Sequence, residues 1–264
     1  MPHKITVTVT SLEDGYIAPF TGGYIRGLFF TVLATFDEKL AKYVHDMKGI
    51  KPFAVEPLKP EGSKKKVEDG GWKIEKGKKY SFSFKLLHDE TGKKFIEVLL
   101  NFDKLKIGKL QFALENISVT KTTYEELAKN VYLGRIGLTF LTPTYFNIKG
   151  KKFPYVLPDI RRIAANLLNI WNRYTNPNLK FAEESAIKAI EESTFIRAHE
   201  IKTREVEIEG IKQAGFKGKV EIIIDKENPI GAPFIVPLLH LAEYSNIGEK
   251  RTYGLGVVKT QKLK

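Results

Sequence analysis

The sequence contains no cysteine, which excludes disulfide bonds, thiolate zinc sites and a cysteine nucleophile. Histidine is also scarce, with five residues in a chain of 264. No apolar run approaches the roughly 18–20 residues that a transmembrane helix needs. The first residues alternate like a strand and lack the apolar core of a signal peptide. We therefore expect a soluble cytoplasmic protein that does not associate with a membrane.

The excess of basic residues is spread over the whole chain. Residues 1–121 carry 21 basic and 15 acidic side chains, and residues 122–264 carry 22 and 16, so each half contributes +6 to the total of +12. A folded body that is basic throughout suits a polyanion, because each neutralised phosphate releases condensed counterions. The alternative is a lysine-rich solvated surface, and charge alone does not separate RNA, DNA and a membrane surface.

Hydrophobic periodicity predicts the same element order in both halves of the chain. In the first half it predicts strands at residues 4–12, 52–58, 80–87 and 109–120, and helices at residues 24–34, 37–46 and 90–102. In the second half it predicts strands at residues 135–142, 195–208, 218–224 and 253–259, and helices at residues 157–174, 181–193 and 233–244. Residues 60–79 are predicted to be a solvated loop or hairpin. The order β-α-β-β-α-β predicts an α+β fold of two tandem ferredoxin-like (RRM-like) domains, residues 1–121 and residues 122–264.

A glycine-rich basic segment, GEKRTYGLG, joins the last predicted helix to the last predicted strand. Its glycines are Gly248, Gly254 and Gly256, and its cations are Lys250 and Arg251. Glycines let backbone N–H groups approach a phosphate closely, and the two cations add charge and hydrogen-bond donors. It is not a Walker loop, whose Gly-Lys-Ser/Thr leads into a helix. The segment predicts contact with a phosphate backbone, and a plain turn is the alternative.

Four stretches resemble, in the same order along the chain, the CRISPR-associated repeat-RNA endoribonucleases, the sixth Cas family of the RAMP superfamily. The glycine-rich segment is similar to the C-terminal loop of that family, and GFKG at residues 215–218 is similar to the element before its last helix. LTFLTPTYF at residues 138–146 is similar to the strand that opens its second domain. YIRGLFFTVL and LAKYVHDMKGIKPF, within residues 24–53, are similar to its first helix and the loop that follows.

This resemblance implies an RNA-cleaving reaction that uses neither metal nor cofactor. In that family the 2′-hydroxyl beside the scissile phosphate is the nucleophile, and the products carry a 2′,3′-cyclic phosphate and a 5′-hydroxyl. Such chemistry needs a base for the 2′-hydroxyl, a proton donor for the leaving 5′-oxygen and a cation for the charge on the phosphorane. The implied partner is CRISPR repeat RNA in precursor transcripts. A CRISPR effector complex and a second copy of the chain, in a homodimer, stay open as further partners.

One histidine, His45 at the end of the first helical region, matches the family's general acid. Histidine exchanges protons near neutral pH, as a proton donor must. A helix C-terminal histidine stabilised by the macrodipole is the alternative. We expect His3 and His88 at the surface, His199 in a structural role on a strand and His240 in the core.

Four residues near His45 bear on the expected active site. Lys51 matches the family lysine that steadies the phosphate, and Lys48 is close enough in sequence to substitute; a solvated lysine is the alternative for both. Where the archaeal members carry a tyrosine on the first helix, this sequence has Phe30, which cannot exchange a proton, so the base is unassigned. Arg26 is four residues earlier, hence on the same helix face, and can offer positive charge.

The leading hypothesis is a metal-independent endoribonuclease for CRISPR repeat RNA, with His45 and Lys51 as catalytic residues. The residues predicted to contact RNA are Arg26, Lys48, Lys212, Lys217, Lys219, Gly248, Lys250, Arg251, Gly254 and Gly256. The competing hypothesis is a catalytically inactive or weak RNA-binding subunit of a CRISPR ribonucleoprotein on the same scaffold, which Phe30 favours. A ribosomal-type RNA-binding protein would be unusual at this tandem-domain length, and DNA binding lacks a helix-turn-helix or zinc pattern.

Overall fold

The computed structural model describes residues 1–62, 67–68 and 71–263. The chain divides into two compact units. The N-terminal unit comprises His3–Lys121 and Thr252–Gly254, and the C-terminal unit comprises Met1–Pro2, Thr122–Arg251 and Leu255–Lys264. Across the described residues, no helix is both long enough and apolar enough to span a bilayer.

The N-terminal unit is built on an antiparallel sheet of five strands, and a smaller sheet of three strands accompanies it. Its elements, in chain order, are β1 (His3–Ser11), β2 (Gly15–Ile17), α1 (Gly22–Phe36), α2 (Glu38–Asp46), β3 (Phe53–Pro60), β4 (Val67–Glu68), β5 (Gly71–Ile74), β6 (Lys79–Leu86), α3 (Asp89–Leu99), β7 (Lys104–Ile107) and β8 (Leu110–Lys121). The larger sheet has the order β3-β6-β1-β8-β7. Its first four strands therefore show the ferredoxin-like arrangement, with the two outer strands reached through helical crossovers.

The core of this unit follows from the alternation of β1. Ile5, Val7 and Val9 are fully buried, whereas the residues between them lie on the opposite face of the sheet. Helix α1 buries its apolar stripe in the same cluster, where the ring of Phe29 stacks 3.9 Å from that of Phe53. This packing holds α1 against the sheet and fixes the direction in which its exposed face points.

A buried ion cluster lies on the opposite face of the sheet. The Nζ of Lys85, which is fully buried, lies 2.9 Å from Glu56 Oε1, and the Nζ of Lys4 lies 2.7 Å from the same oxygen. The hydroxyl of Ser83 donates to the other carboxylate oxygen. Burial alone would raise the pKa of the Glu56 carboxyl, but the ammonium groups of Lys85 and Lys4 lower it to about 2.

The C-terminal unit repeats this arrangement. Its elements are α4 (Tyr124–Lys129), β9 (Gly134–Thr144), α5 (Ile160–Tyr174), α6 (Glu183–Ser193), β10 (Thr194–Ile208), β11 (Ile211–Ile224), α7 (Ala232–Ser245) and β12 (Val258–Lys262), with 3₁₀ turns at Pro177–Leu179 and Arg251–Tyr253. The four strands have the order β10-β11-β9-β12, and every neighbouring pair is antiparallel. Two ferredoxin-like sheets in tandem confirm the predicted fold class.

Two local predictions are wrong, and a third holds in part. The hairpin predicted as one alternative for residues 60–79 is present, because β4 and β5 pair antiparallel, but it is not simply solvated, since β5 also pairs with β2 and buries Trp72 and Ile74; residues 63–66 and 69–70 lie outside the described residues. The closing strand begins at Val258, since the residues before it form a 3₁₀ turn. His3 is buried, not on the surface, because it pairs with Asp89 at 3.0 Å and its ring packs against Gly92.

Candidate active site

His45 lies in the last turn of α2, whose first turn is capped by the Asp37 carboxylate at 2.8 Å from the N–H of Leu40. The imidazole is 56% exposed, so RNA can reach it. Its Nδ1 lies 2.9 Å from the carboxylate of Asp46, and the hydrogen bond from His45 lowers the pKa of that carboxyl. A carboxylate that accepts from Nδ1 leaves Nε2 as the ring nitrogen for proton transfer.

Phe30 occupies the position beside this imidazole. The two ring centroids are 5.2 Å apart in an edge-on arrangement, and Phe30 also meets Phe29 and Phe53 edge-on. The guanidinium carbon of Arg26 lies 5.0 Å from the centroid of the Phe30 ring, so the two side chains share one face of α1, as their spacing predicted. Phe30 therefore packs between Arg26 and His45 as an apolar ring, and it has no group that could accept or donate a proton.

Lys51 is turned toward the helix that carries His45. Its Nζ donates to the main-chain carbonyls of Val44 at 2.7 Å and of His45 at 2.5 Å, where the helix leaves carbonyl groups without intrahelical partners. Partial burial, followed by the nearby charge of Arg26, lowers the pKa of the Lys51 ammonium. Lys51 thus fixes the end of α2, while Lys48 is exposed in the intervening turn.

The glycines of the C-terminal segment are needed for packing within the chain. Gly248 and Gly256 are buried with φ of +83° and +68°, and a Cβ on them would lie 2.5 Å from the carbonyl oxygen of Tyr145 and 1.7 Å from that of Ile247. The sequence interpretation assigned these glycines to a close phosphate approach, and it missed these internal neighbours. Direct contact of these glycines with a phosphate stays a prediction.

The two cations of this segment have different environments. Lys250 is exposed. Arg251 is 8% exposed, its guanidinium donates to the carbonyl of Ser245 at 2.7 Å, and burial lowers its pKa to about 10. A buried guanidinium that is hydrogen-bonded to the main chain stabilises the conformation of the segment. This burial does not favour the phosphate contact predicted for Arg251.

Tyr253, which the sequence interpretation did not single out, contacts helix α1 of the candidate site. Its ring centroid lies 4.6 Å from the guanidinium carbon of Arg26, on which Phe30 also stacks. The close approach is permitted by Gly22, where a Cβ would come within 1.8 Å of the Tyr253 carbonyl oxygen. The adjacent Gly254 has φ of +81° and packs against Pro57. The Gly-Gly pair at the start of α1 was the available signal, because such a pair marks a close backbone approach.

The remaining predicted lysines lie on β11. Lys212, Lys217 and Lys219 are all exposed, but Lys212 and Lys219 pair across the hairpin with Glu207 and Glu200. GFKG lies inside this strand and not ahead of it, which corrects the prediction. A Cβ at its two glycines would meet the backbone of the neighbouring strands, so both glycines serve strand packing.

The structure therefore brings Arg26 and His45 together on Phe30 in the N-terminal unit, with Lys51 bonded to the main chain of His45. Lys48 lies in the turn between His45 and Lys51, and the other predicted residues lie elsewhere. Within the described residues no group of three or more histidine, aspartate or glutamate side chains could hold a metal ion. His240 is half-buried and burial lowers its pKa, whereas His88 and His199 are exposed.

Comparison with known proteins identifies relatives of both halves. The family model described as "CRISPR Cas6 N-terminal domain" matches residues 1–130, and that of "CRISPR-associated endoribonuclease Cas6" matches residues 138–258. A Streptococcus thermophilus CRISPR-associated endoribonuclease Cas6 is 25% identical over 189 residues, which cover 68% of this chain and 74% of the relative. A Cas6 product complex matches with a TM-score of 0.81 and 24% identity, over 99% of this chain and 100% of the other. A Thermus thermophilus Cas6 matches with a TM-score of 0.72 and 22% identity, over 99% and 98%.

Proposed function

Because the chain belongs to the family of the CRISPR-associated endoribonuclease Cas6 and processes CRISPR repeat RNA, we propose that it cuts this RNA without a metal ion and leaves 2′,3′-cyclic phosphate and 5′-hydroxyl ends. The observation that carries this proposal is the cluster around Phe30. It contains an exposed histidine oriented by Asp46 and two cations, Arg26 and Lys51, within one unit. These groups supply the proton donor and the positive charge that a 2′-hydroxyl attack on phosphorus requires, but not the base.

In this mechanism the 2′-hydroxyl oxygen forms a bond to the adjacent phosphorus, and the bond from phosphorus to the 5′-oxygen breaks. His45, as imidazolium, gives its Nε2 proton to the leaving 5′-oxygen. Arg26 stabilises the extra negative charge of the phosphorane. Lys51 holds the carbonyl of His45 and so fixes the histidine, in addition to its positive charge. Phe30 cannot accept the 2′-hydroxyl proton, so this proton passes to water, and precise placement of the RNA must contribute much of the rate.

Exposed cations supply much of the affinity for RNA. Lys48, Lys212, Lys217, Lys219 and Lys250 are all exposed, and the chain carries a net charge of +12. Each lysine that neutralises a phosphate contributes to the salt dependence of binding. We further propose that residues 1–121 and residues 122–264 are separate domains. The change from one compact unit to the other between Lys121 and Thr122 supports this boundary. We also propose that the protein acts in the cytoplasm.

Cleavage of the repeat RNA of the same genome, in EDTA, tests the proposed chemistry. We expect cyclic-phosphate ends, loss of cleavage in His45→Ala with RNA affinity retained, and no cleavage when the scissile nucleotide is 2′-deoxy. His88→Ala is the matched control, because it removes another exposed histidine of the same unit. Normal cutting of the 2′-deoxy RNA would refute the mechanism.

The second candidate function, an RNA-binding subunit that does not cut, rests on Phe30. It predicts tight binding of repeat RNA with no cyclic-phosphate product at any protein concentration. A gain of cleavage in Phe30→Tyr, which adds a proton-exchanging hydroxyl to the ring that meets His45 edge-on, would support this reading over the first.

A further inference from the structure

The connection between β9 and α5 contains a built loop, residues 147–154, here called the lysine loop. Its ends are joined by a two-residue bridge, in which the N–H of Phe146 donates to the carbonyl of Tyr155 at 3.0 Å and the reverse bond is 2.8 Å. Within it the N–H of Lys151 donates to the carbonyl of Ile148 at 3.0 Å, which closes a turn. The loop therefore has a defined shape at both its base and its tip.

The lysine loop presents three cations and one aromatic ring to solvent. Lys149, Lys151 and Lys152 are exposed, and Phe153 is 75% exposed, the largest fraction among the large hydrophobic side chains of the described residues. The Nζ of Lys152 lies 5.7 Å from the centroid of the Phe153 ring. No acidic residue occurs between Phe146 and Asp159. A phenyl ring this exposed contributes little to the core, and its place among cations is typical of a site for single-stranded nucleic acid.

The base of the lysine loop contacts the glycine-rich segment. The N–H of Glu249 donates to the carbonyl of Tyr145 at 3.1 Å, directly before the bridge, and Gly248 packs on the same carbonyl oxygen. On the other side the guanidinium carbon of Arg162 lies 4.5 Å from the centroid of the Tyr155 ring. Exposed Lys250 of the glycine-rich segment extends the positive surface.

We propose that the lysine loop binds a single-stranded stretch of the RNA substrate, with one unpaired nucleobase stacked on Phe153. The three lysines hold the phosphates on either side. This proposal rests on the proposed function. An alternation of flat rings and cations matches the alternation of bases and phosphates in a single strand. A protein partner would instead favour a contiguous apolar patch, and lysines surround this ring.

Binding of the repeat RNA, with and without a single-stranded extension of about ten nucleotides, tests this proposal by fluorescence anisotropy. Phe153→Ala is expected to raise the Kd for the extended RNA by roughly fivefold to a hundredfold. Phe153→Trp is expected to keep the affinity, whereas Phe153→Leu, which is apolar but lacks a π-face, is expected to behave like alanine. Lys152→Gln should lower the slope of log Kd against log salt by about 0.7.

Two controls and three outcomes decide the result. Tyr16→Ala removes another exposed aromatic ring and Lys94→Gln another exposed lysine, and neither should change the Kd. Equal affinity of the leucine variant and the wild type would overturn base stacking. Unchanged RNA affinity with loss of binding to anionic lipid vesicles, or a change in oligomeric state, would reassign the loop to a membrane or to a second copy. Absence of cyclic-phosphate ends from the wild-type reaction would refute the proposed chemistry and leave the binding measurements unaffected, so failure of the loop proposal is separable from failure of the proposed chemistry.

Discussion

Removal of the Glu56 carboxylate should destabilise the N-terminal unit strongly at neutral pH. The variant Glu56→Gln leaves the fully buried ammonium of Lys85 without its counter-charge, and breaking a buried ion pair costs about 3–5 kcal/mol. The pKa offers a second estimate. A shift from 4.5 to about 2 in the folded state corresponds to about 3 kcal/mol, since one pKa unit is worth about 1.4 kcal/mol.

The sign of the pH dependence follows from the direction of this shift. The folded pKa is depressed, so the stabilisation is complete above the unfolded pKa of 4.5 and is lost as the pH falls toward about 2. The difference in unfolding free energy between wild type and Glu56→Gln should therefore shrink from about 3 kcal/mol at pH 7 to about 1 kcal/mol at pH 3.

Urea denaturation measured by tryptophan fluorescence is the appropriate assay. In a Trp171→Phe background the remaining tryptophan, Trp72, is 1% exposed and reports on the N-terminal unit. Glu90→Gln removes an exposed carboxylate of the same unit and serves as the control. A loss below about 1 kcal/mol at pH 7, or a loss that does not change with pH, would refute the argument that the ion cluster stabilises the sheet.

Two further substitutions test the packing of the glycine-rich segment and of the active site. Gly256→Ala should lower the unfolding free energy by more than Gly210→Ala does. Both glycines have positive φ, but only at Gly256 would a Cβ meet a carbonyl oxygen, that of Ile247. Equal losses of unfolding free energy in urea denaturation would contradict the close contact. Tyr253→Leu should slow single-turnover cleavage roughly 3- to 30-fold and leave the Kd for RNA unchanged. Tyr253→Phe should cleave at the normal rate, because the face of the ring and not the hydroxyl meets Arg26. A phenylalanine variant as slow as the leucine variant would count against this role.

The sequence predicted best what depends on near neighbours in the chain. The alternation of β1 and the i,i+4 pair of Arg26 and Phe30 are both local, and the structure confirms them. Short strands such as β2 and β7 were missed, since three or four residues do not establish a period.

What the sequence did not reveal depends on residues far apart in the chain. The glycine-rich segment looked like a phosphate loop because its glycines were judged by spacing, whereas Gly248 is required by the carbonyl of Tyr145. Arg251 was predicted to contact RNA, but it is buried and its guanidinium donates to the carbonyl of Ser245, six residues earlier. Neither contact leaves a pattern in the neighbouring residues.

The assignment of Thr252–Gly254 to the N-terminal unit has a consequence for the order in which the protein is made. All other residues of that unit precede Thr122, so the ribosome finishes them long before Tyr253 is synthesised. Until then the guanidinium of Arg26 lacks one of the two rings that flank it. A nascent chain therefore contains His45 and Phe30 early, yet it completes the candidate active-site cluster only after the last helix has been translated.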